Sequence, residues 1–392
     1  MGDVTLTAHS IWIKAGSLKS EKNEDTGVHT NKITFELLGN KNDRGYVFTP
    51  ELAENKIFVV TGRLELFGPT PATQWTKLKS FAHAGDTSIT VGSTSGWAAG
   101  DEIVIGPSFT SADEHEKLTI TSISGSTVSF TPALQFNHYG ANSKTIDNAY
   151  GTLDTRAAVG HLTRNIKFIS GSDSGWGYTL HVYGYRDTFT NDDGDEVEVL
   201  RTGSVNLQGV EFYEGGQYDT EQSAVRIENA IGDKDNVLSK NTFHDCKSYC
   251  MYIDNAQKVN INKNVFYNGR LFHVRATAIR DYSFKDNLMI AATNRPTLNA
   301  KELVSCYATW DAIHENLVVI KDNLCQGSHM HGFVLPHIPC DYIDSPPYSE
   351  NTAGSTDTAF IFNKIGGSCL AMTGVKAYAS KLGQICSPAG PD

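Results

Sequence analysis

The sequence predicts an all-β chain, most of it a right-handed single-stranded parallel β-helix continuous with a β-rich N-terminal domain. Three observations predict it. A unit of short strand, asparagine and apolar residue recurs at a fixed spacing. A second set of alternating strands precedes each of those units. Composition agrees, because 35 glycines against five methionines in 392 residues suit turns and strands better than helices.

The recurring unit is seen in four segments: 237–243 (VLSKNTF), 259–266 (VNINKNVF), 282–288 (YSFKDNL) and 319–324 (VIKDNL). Their asparagines are Asn241, Asn264, Asn287 and Asn323, at steps of 23, 23 and 36 residues. A constant step of this size indicates stacked repeats, each too small to bury its apolar face alone. The longer step fits one coil carrying an inserted loop. Residues 164–169 and 205–212 look like looser members. A sharp bend between two strands needs a residue that tolerates the left-handed region, so the asparagine is expected to occupy it. Stacked asparagine side chains can also hydrogen-bond from coil to coil.

The second strand set is 179–183, 224–228, 250–254 and 271–275. Alternation places Leu180, Val225, Met251 and Phe272 inside, together with Val182, Ile227, Ile253 and Val274. The outward file is then His181, Arg226, Tyr252 and His273, with Tyr183, Glu228, Asp254 and Arg275 beside it.

Residues 1–150 have a different texture and read as an all-β domain. Segments 10–13, 32–37, 56–60 and 63–66 alternate well. Residues 96–105 give a turn and then a buried strand, and 118–123 with 127–130 form a hairpin across Ser124, Gly125 and Ser126. Residues 151–340 carry the repeats, with an acidic hairpin tip at 191–196. Residues 341–392 are rich in Pro, Gly and Ser and read as a loop-rich cap. The strand-like start and the abrupt end read as a piece of something longer.

A formal net charge of −11 excludes a general nucleic-acid binder. It also disfavours a polyanionic polysaccharide as ligand unless charge is locally reversed. Apolar runs fall well short of the ~18 residues that span a membrane. Five of the seven cysteines lie beyond residue 300, and no CxxC pair exists. Cys325 with Cys340, and Cys369 with Cys386, can staple the C-terminal end in a disulfide-permissive compartment. Phosphate-binding loops, nucleophile elbows and dinucleotide fingerprints are absent.

Residues 62–68, 75–78 and 97–105 resemble the G8 domain, without its usual start, and 154–166 resembles the segment joining G8 to its β-helix repeats. The stretch from Gly332 to Cys340 is similar to the end of that region. Over nearly its whole length the chain resembles fibrocystin-like surface proteins, which share this module with the hyaluronan-processing G8 proteins. The resemblance implies an extracellular or cell-surface segment of a larger membrane-anchored or secreted chain. The expected partner is a glycan or protein ligand and not nucleic acid, with no required cofactor. The resemblance does not decide catalysis, since the relatives differ there.

Four constellations can carry chemistry. Arg226, Asp254, His273 and Arg275 are expected within a few ångströms on the outward face. Asp254 and His273 then suit acid–base work, and Arg226, Tyr252, Glu228 and Arg275 suit ligand contact. The simpler reading is a solvated ladder of ion pairs. Asp154 and Arg156 share one face of a strand and read as a pair locking the two domains. By resemblance to the hyaluronan-processing proteins they become catalytic candidates. His329 and His331, with His314, His337 or Cys340 near in sequence, can chelate a transition metal or merely pack. Asp193 and Asp195 flank Gly194 and can hold Ca²⁺, although the loop departs from the EF-hand pattern and an Asp-Gly turn suffices.

Two function classes follow: a non-catalytic ligand-binding or adhesive segment, and a polysaccharide-cleaving enzyme of hyaluronidase or lyase type. A filament component is a third. Cleavage requires the Arg226, Asp254 and His273 file to line an open groove.

Overall fold

A computed structural model describes residues 2–386 apart from 22, 50, 141–144, 149–150, 172–174, 219, 294–303, 310–317, 339, 341–345, 364–368 and 371. Successive coils of a parallel β-helix build one 26-stranded sheet. Among the described residues no helix is long and apolar enough to cross a membrane.

Each coil contributes three short strands, so the helix has three faces. The first face stacks Val4–Ala8, Ile33–Leu37, Ile166–Ser170, Val210–Tyr213, Thr242–His244 and Val265–Arg270 in parallel register. The second stacks Ser10–Ile13, Ile57–Val60, the start of Thr179–Thr190, Val225–Glu228 and the start of Met251–Asn262. The third stacks Ser17–Lys19, Arg63–Phe67, Ser204–Gln208 and Asn236–Ser239. Period-two alternation sends every other side chain inward, where Leu180, Val225, Met251, Val182, Ile227 and Ile253 are fully buried. Identical coils stack identical residues. Phe35, Phe168, Phe212, Phe243 and Phe266 form a column with successive ring centroids 4.6, 5.2, 4.7 and 4.7 Å apart.

The asparagines form a column at the turn from the third face back to the first. Asn264 Nδ2 donates to Asn287 Oδ1 at 3.0 Å and to the Leu238 carbonyl at 3.0 Å, while the Asn241 amide donates to Asn264 Oδ1 at 2.9 Å. Asn287 and Asn323 repeat the pattern, which extends to Asn351. One expectation is corrected. The left-handed residue is the one before each asparagine: Lys240, Lys263, Asp286, Asp322 and Glu350, with φ between 55° and 58°. The asparagine turns its amide into the dry corner, so the bend falls on its neighbour. Asn351 escaped detection because its strand, Tyr348–Ser349, is too short to show a pattern.

The expected boundary at residue 150 does not coincide with the sheets. Residues 4–67 already form coils of the helix. The chain then leaves for an antiparallel six-stranded sheet, ordered Ser88–Thr90, Thr127–Thr131, Glu116–Ser124, Glu102–Ile105, Ala158–His161 and Trp75–Lys77, and returns at Ile166. That sheet lies on the first face, where Val104, Ala158 and Leu162 pack on Val265, Tyr267, Leu288 and Ile290. A charged seam runs beside this contact. His244 sits 3.1 Å from Asp245 and 3.4 Å from Glu211, and Lys117 of the antiparallel sheet reaches Asp245 at 2.8 Å. Burial alone would raise the Glu211 carboxyl, but His244 and Lys167 outweigh it and bring it to about 2.

The C-terminal region is likewise corrected. Coils continue through Tyr348–Ser349, Thr352–Asn363, Met372–Thr373, Lys376–Tyr378 and Gly383–Cys386, so its described part is not a loop-rich cap. Ser355 and Gly374 take the left-handed backbone there, at φ 55° and 61°. Disulfide pairing also differs from expectation. Cys246 pairs with Cys250, Cys306 with Cys325, and Cys340 with Cys369. Cys325 therefore does not reach Cys340, and Cys369 is not the partner of Cys386. Sequence proximity misled here, because stacking brings residues one coil apart together. Cys386 lies in the last described strand.

Candidate functional site: an arginine–tyrosine ladder on the second face

The hairpin of Tyr46–Thr49 and Leu52–Glu54 covers the start of the second face, packing Phe48 and Leu52 on Val59, Tyr183 and Tyr185. Beyond it the face opens, and Arg226, Tyr252 and Arg275 stand in one file in exact strand register. The Arg226 guanidinium lies 4.9 Å from the Tyr252 ring centroid and that of Arg275 lies 5.1 Å from it, so the ring is held between two cations. Arg275 also donates to Glu221 at 3.1 Å, and Arg226 to Glu228 at 2.9 Å. Glu228 receives His181 Nε2 at 3.0 Å as well. Burial alone would raise the Glu228 carboxyl, but the hydrogen bonds from His181 and Arg226 hold it at about 2. Asp254, next in register to Glu228, accepts from Thr277 Oγ1 at 2.8 Å. Nearby, burial raises Glu54, which accepts from Gln222 Nε2 at 2.7 Å.

This is a rigid ledge of planar cations, one ring and tethered carboxylates. Each guanidinium is tethered by a carboxylate, which limits the directions in which it presents its donors. The side chains of Arg226 and Arg275 keep 13% and 24% of their exposure, enough to meet a ligand without being free to wander.

The expected neighbours Arg226, Glu228, Tyr252, Asp254 and Arg275 are thus brought to one face. His273 is not. Val274 pairs with Met251 and Arg275 with Tyr252, two residues away from the expected alignment. A slip of two preserves alternation, so period-two reasoning cannot detect it, and it accounts for Arg275 standing beside Tyr252 but not for the burial of His273. The 23-residue asparagine step, carried to this face, gives the observed register. His273 is fully buried, pushed down to about 3 by burial, and packs where a Cβ on Gly269 would meet it. It cannot act as an outward acid or base. Glu221 and Tyr249 were missed because they lie in turns, which carry no period.

The remaining candidates fall elsewhere. Arg156 grips Asp154 through two bonds of 2.9 and 2.7 Å, and Lys77 donates to the carbonyls of both. Gln326 of the helix donates to the Arg156 carbonyl at 3.0 Å, so this pair ties the antiparallel sheet to the coils. His329 contacts Asp113 at 2.6 Å, while His331 is buried. A bulge between Ser328 and His331 breaks the alternation that would have aligned the two rings. His314 lies outside the described residues. Asp193 and Asp195 donate their backbone amides to Asn191 Oδ1 in a tight turn with Gly194 at φ +88°. Among the described residues, no three His, Cys, Asp or Glu side chains are grouped to hold a metal.

Comparison with known sequences meets this architecture at its N-terminal end. Residues 2–79 match the G8 domain. The G8 stretch therefore comprises the first coils and the crossing into the antiparallel sheet at Trp75–Lys77. The chain is 37% identical to Fibrocystin-L of Mus musculus over 137 residues, 33% of this chain and 3% of that protein. It is 35% identical to Fibrocystin-L of Homo sapiens over 181 residues, 44% of this chain and 4% of that one. A G8 domain-containing protein of Dictyostelium discoideum is 24% identical over 71% of this chain and 18% of its own length. The chain thus spans less than a fifth of these relatives. Among solved structures, a tailspike of Acinetobacter baumannii bacteriophage AP22, in complex with a capsular saccharide, is similar over 98% of this chain and 64% of its own. It has 14% identity and a TM-score of 0.23. The tailspike of Pseudomonas phage phi297 covers 91% of this chain, and this chain covers 54% of it, at 9% identity and a TM-score of 0.24.

Proposed function

We propose that this chain is an extracellular, non-catalytic segment of a large cell-surface protein, and that its open second face binds a glycan. The observation that carries this is the Arg226–Tyr252–Arg275 stack, whose guanidinium planes are fixed by Glu228 and Glu221. Fixed donors beside carboxylate acceptors match the alternating hydroxyls of an extended sugar chain, and little side-chain freedom is lost on binding. Similarity to Fibrocystin-L and the three disulfides support the extracellular placement. Burial of His273 removes the acid–base partner that cleavage on this file needed.

The test is a panel of polysaccharides scored for both binding and chain shortening. Retention of at least one glycan without shortening, weakened about tenfold by Arg226→Gln with Arg275→Gln, is expected. Shortening of any chain would replace this reading with the enzymatic one. Unchanged binding in the folded double variant would remove the ladder from it.

A further inference from the structure

A cleft of about 760 Å³ opens at the corner between the second and third faces. Four separate segments enclose it: the turns at 15–19 and 61–63, the returning strand of the inserted hairpin at 199–202, and the loop 231–234. Its charge is opposite to that of the molecule. Lys19, Arg63, Arg201 and Lys234 line it against one carboxylate, Asp233, in a chain of net charge −11. The acids that hold three of these cations are recessed, Glu65 pairing with Lys19 as well as Arg63. Arg63 is fixed by Glu65 at 3.1 Å, and Arg201 by Asp187, with both carboxylates only 13% exposed. Their guanidiniums are oriented without being covered, a geometry that suits a planar carboxylate or a sulfate. The rest of the lining includes the polar side chains of Ser17, Thr61, Thr202 and Gln257 and the aliphatic ones of Val199, Leu200 and Ile231, and it has no aromatic ring.

We infer that this cleft binds an anionic oligosaccharide, one bearing carboxylate or sulfate groups on its sugar rings. Hydroxyls and an amide set among four cations supply partners for both the hydroxyls and the acidic groups of such a chain. The inserted hairpin Thr179–Thr190/Glu196–Thr202 forms one wall, so the insertion creates the site. The surrounding negative charge confines attraction to the cleft and makes binding steeply dependent on salt. The inference rests on the reading of this chain as a glycan binder and adds the charge class and a second place of contact.

The test measures affinity of the full chain for three hexasaccharides: a sulfated one from heparin, a carboxylated one from polygalacturonate, and neutral cellohexaose. Inorganic sulfate is the fourth probe. Lys19→Gln with Lys234→Gln removes two exposed charges without touching the core. An anionic hexasaccharide is expected to bind at least tenfold tighter than the neutral one at low salt, and to lose about tenfold in the double variant. Equal affinity for charged and neutral chains overturns the inference, as does unchanged binding in a double variant that melts like the parent. Displacement by equimolar sulfate reduces the site to a small-anion site and overturns it too. Anionic binding that survives Arg226→Gln with Arg275→Gln but not the cleft variant supports the cleft while removing the ladder. Neutral binding at the ladder with an inert cleft does the reverse.

Discussion

Lys263 and Asn264 divide one corner of the helix between them: Lys263 takes the left-handed backbone at φ 58°, and Asn264 turns its amide inward to Asn287 Oδ1 at 3.0 Å. The same division recurs at each rung of the column. Asn264→Leu strands the Asn241 amide and the Leu238 carbonyl in a corner closed to water. The expected loss is about 3 kcal/mol, read as a drop in denaturant midpoint. An unchanged midpoint contradicts the capping role.

Substitution at Lys263 separates the two roles. Lys263→Gly relieves the left-handed penalty of roughly 1–2 kcal/mol but gives back unfolded-chain entropy, so stability should hold or rise by up to about 1 kcal/mol. Lys263→Val should lower it by about 1–2 kcal/mol, since branching at Cβ worsens that conformation. If Asn264→Gly, rather than Lys263→Gly, proved harmless in a thermal melt, the assignment of the bend would be wrong.

His273 and Arg275 should now behave differently despite lying two apart. His273→Ala leaves a void against Gly269 and is expected to cost about 2 kcal/mol. Arg275→Ala, on the partly exposed ledge, should cost well under that. Equal melting temperatures for the two variants would place His273 back on the surface.

Acid should weaken the fold through buried imidazoles. His273, with a folded pKa of about 3, takes up a proton more readily when unfolded, so its contribution fades as pH falls from about 6.5 toward 3. Burial also lowers His161 and His181, which act in the same sense. His244 has the opposite sign: its carboxylate neighbours outweigh burial and raise it, so its contribution is complete below about 6.5 and declines as pH rises through the folded value. His273→Gln should flatten the acid limb of melting temperature against pH between 6.5 and 4. His244→Gln should leave that limb intact and flatten the profile above about 6.5.

Reduction tests the pairing at the C-terminal end. Cys340 and Cys369 are 29 residues apart, so opening their bond with Cys340→Ser should cost about 3 kcal/mol by loop entropy. Cys386→Ser should leave the Cys340–Cys369 linkage intact in a peptide map. Loss of that linkage would restore the Cys369–Cys386 alternative.

The sequence by itself determined the stacked-coil architecture, the column of Asn241, Asn264, Asn287 and Asn323, and the face that carries Arg226, Tyr252 and Arg275. Those features repeat along the chain, and repetition is a local signal that stacking merely copies from rung to rung. Only the tertiary structure decided that Lys263 bends while Asn264 caps, that His273 turns inward, and that Cys306 joins Cys325. It alone set the antiparallel sheet on the first face and drew Lys19, Arg63, Arg201 and Lys234 to one corner. Each of these rests on contacts between neighbouring coils or inserted segments, which the pattern of a single strand does not carry. Period-two alternation is blind to a slip of two residues, and turn residues have no period to read.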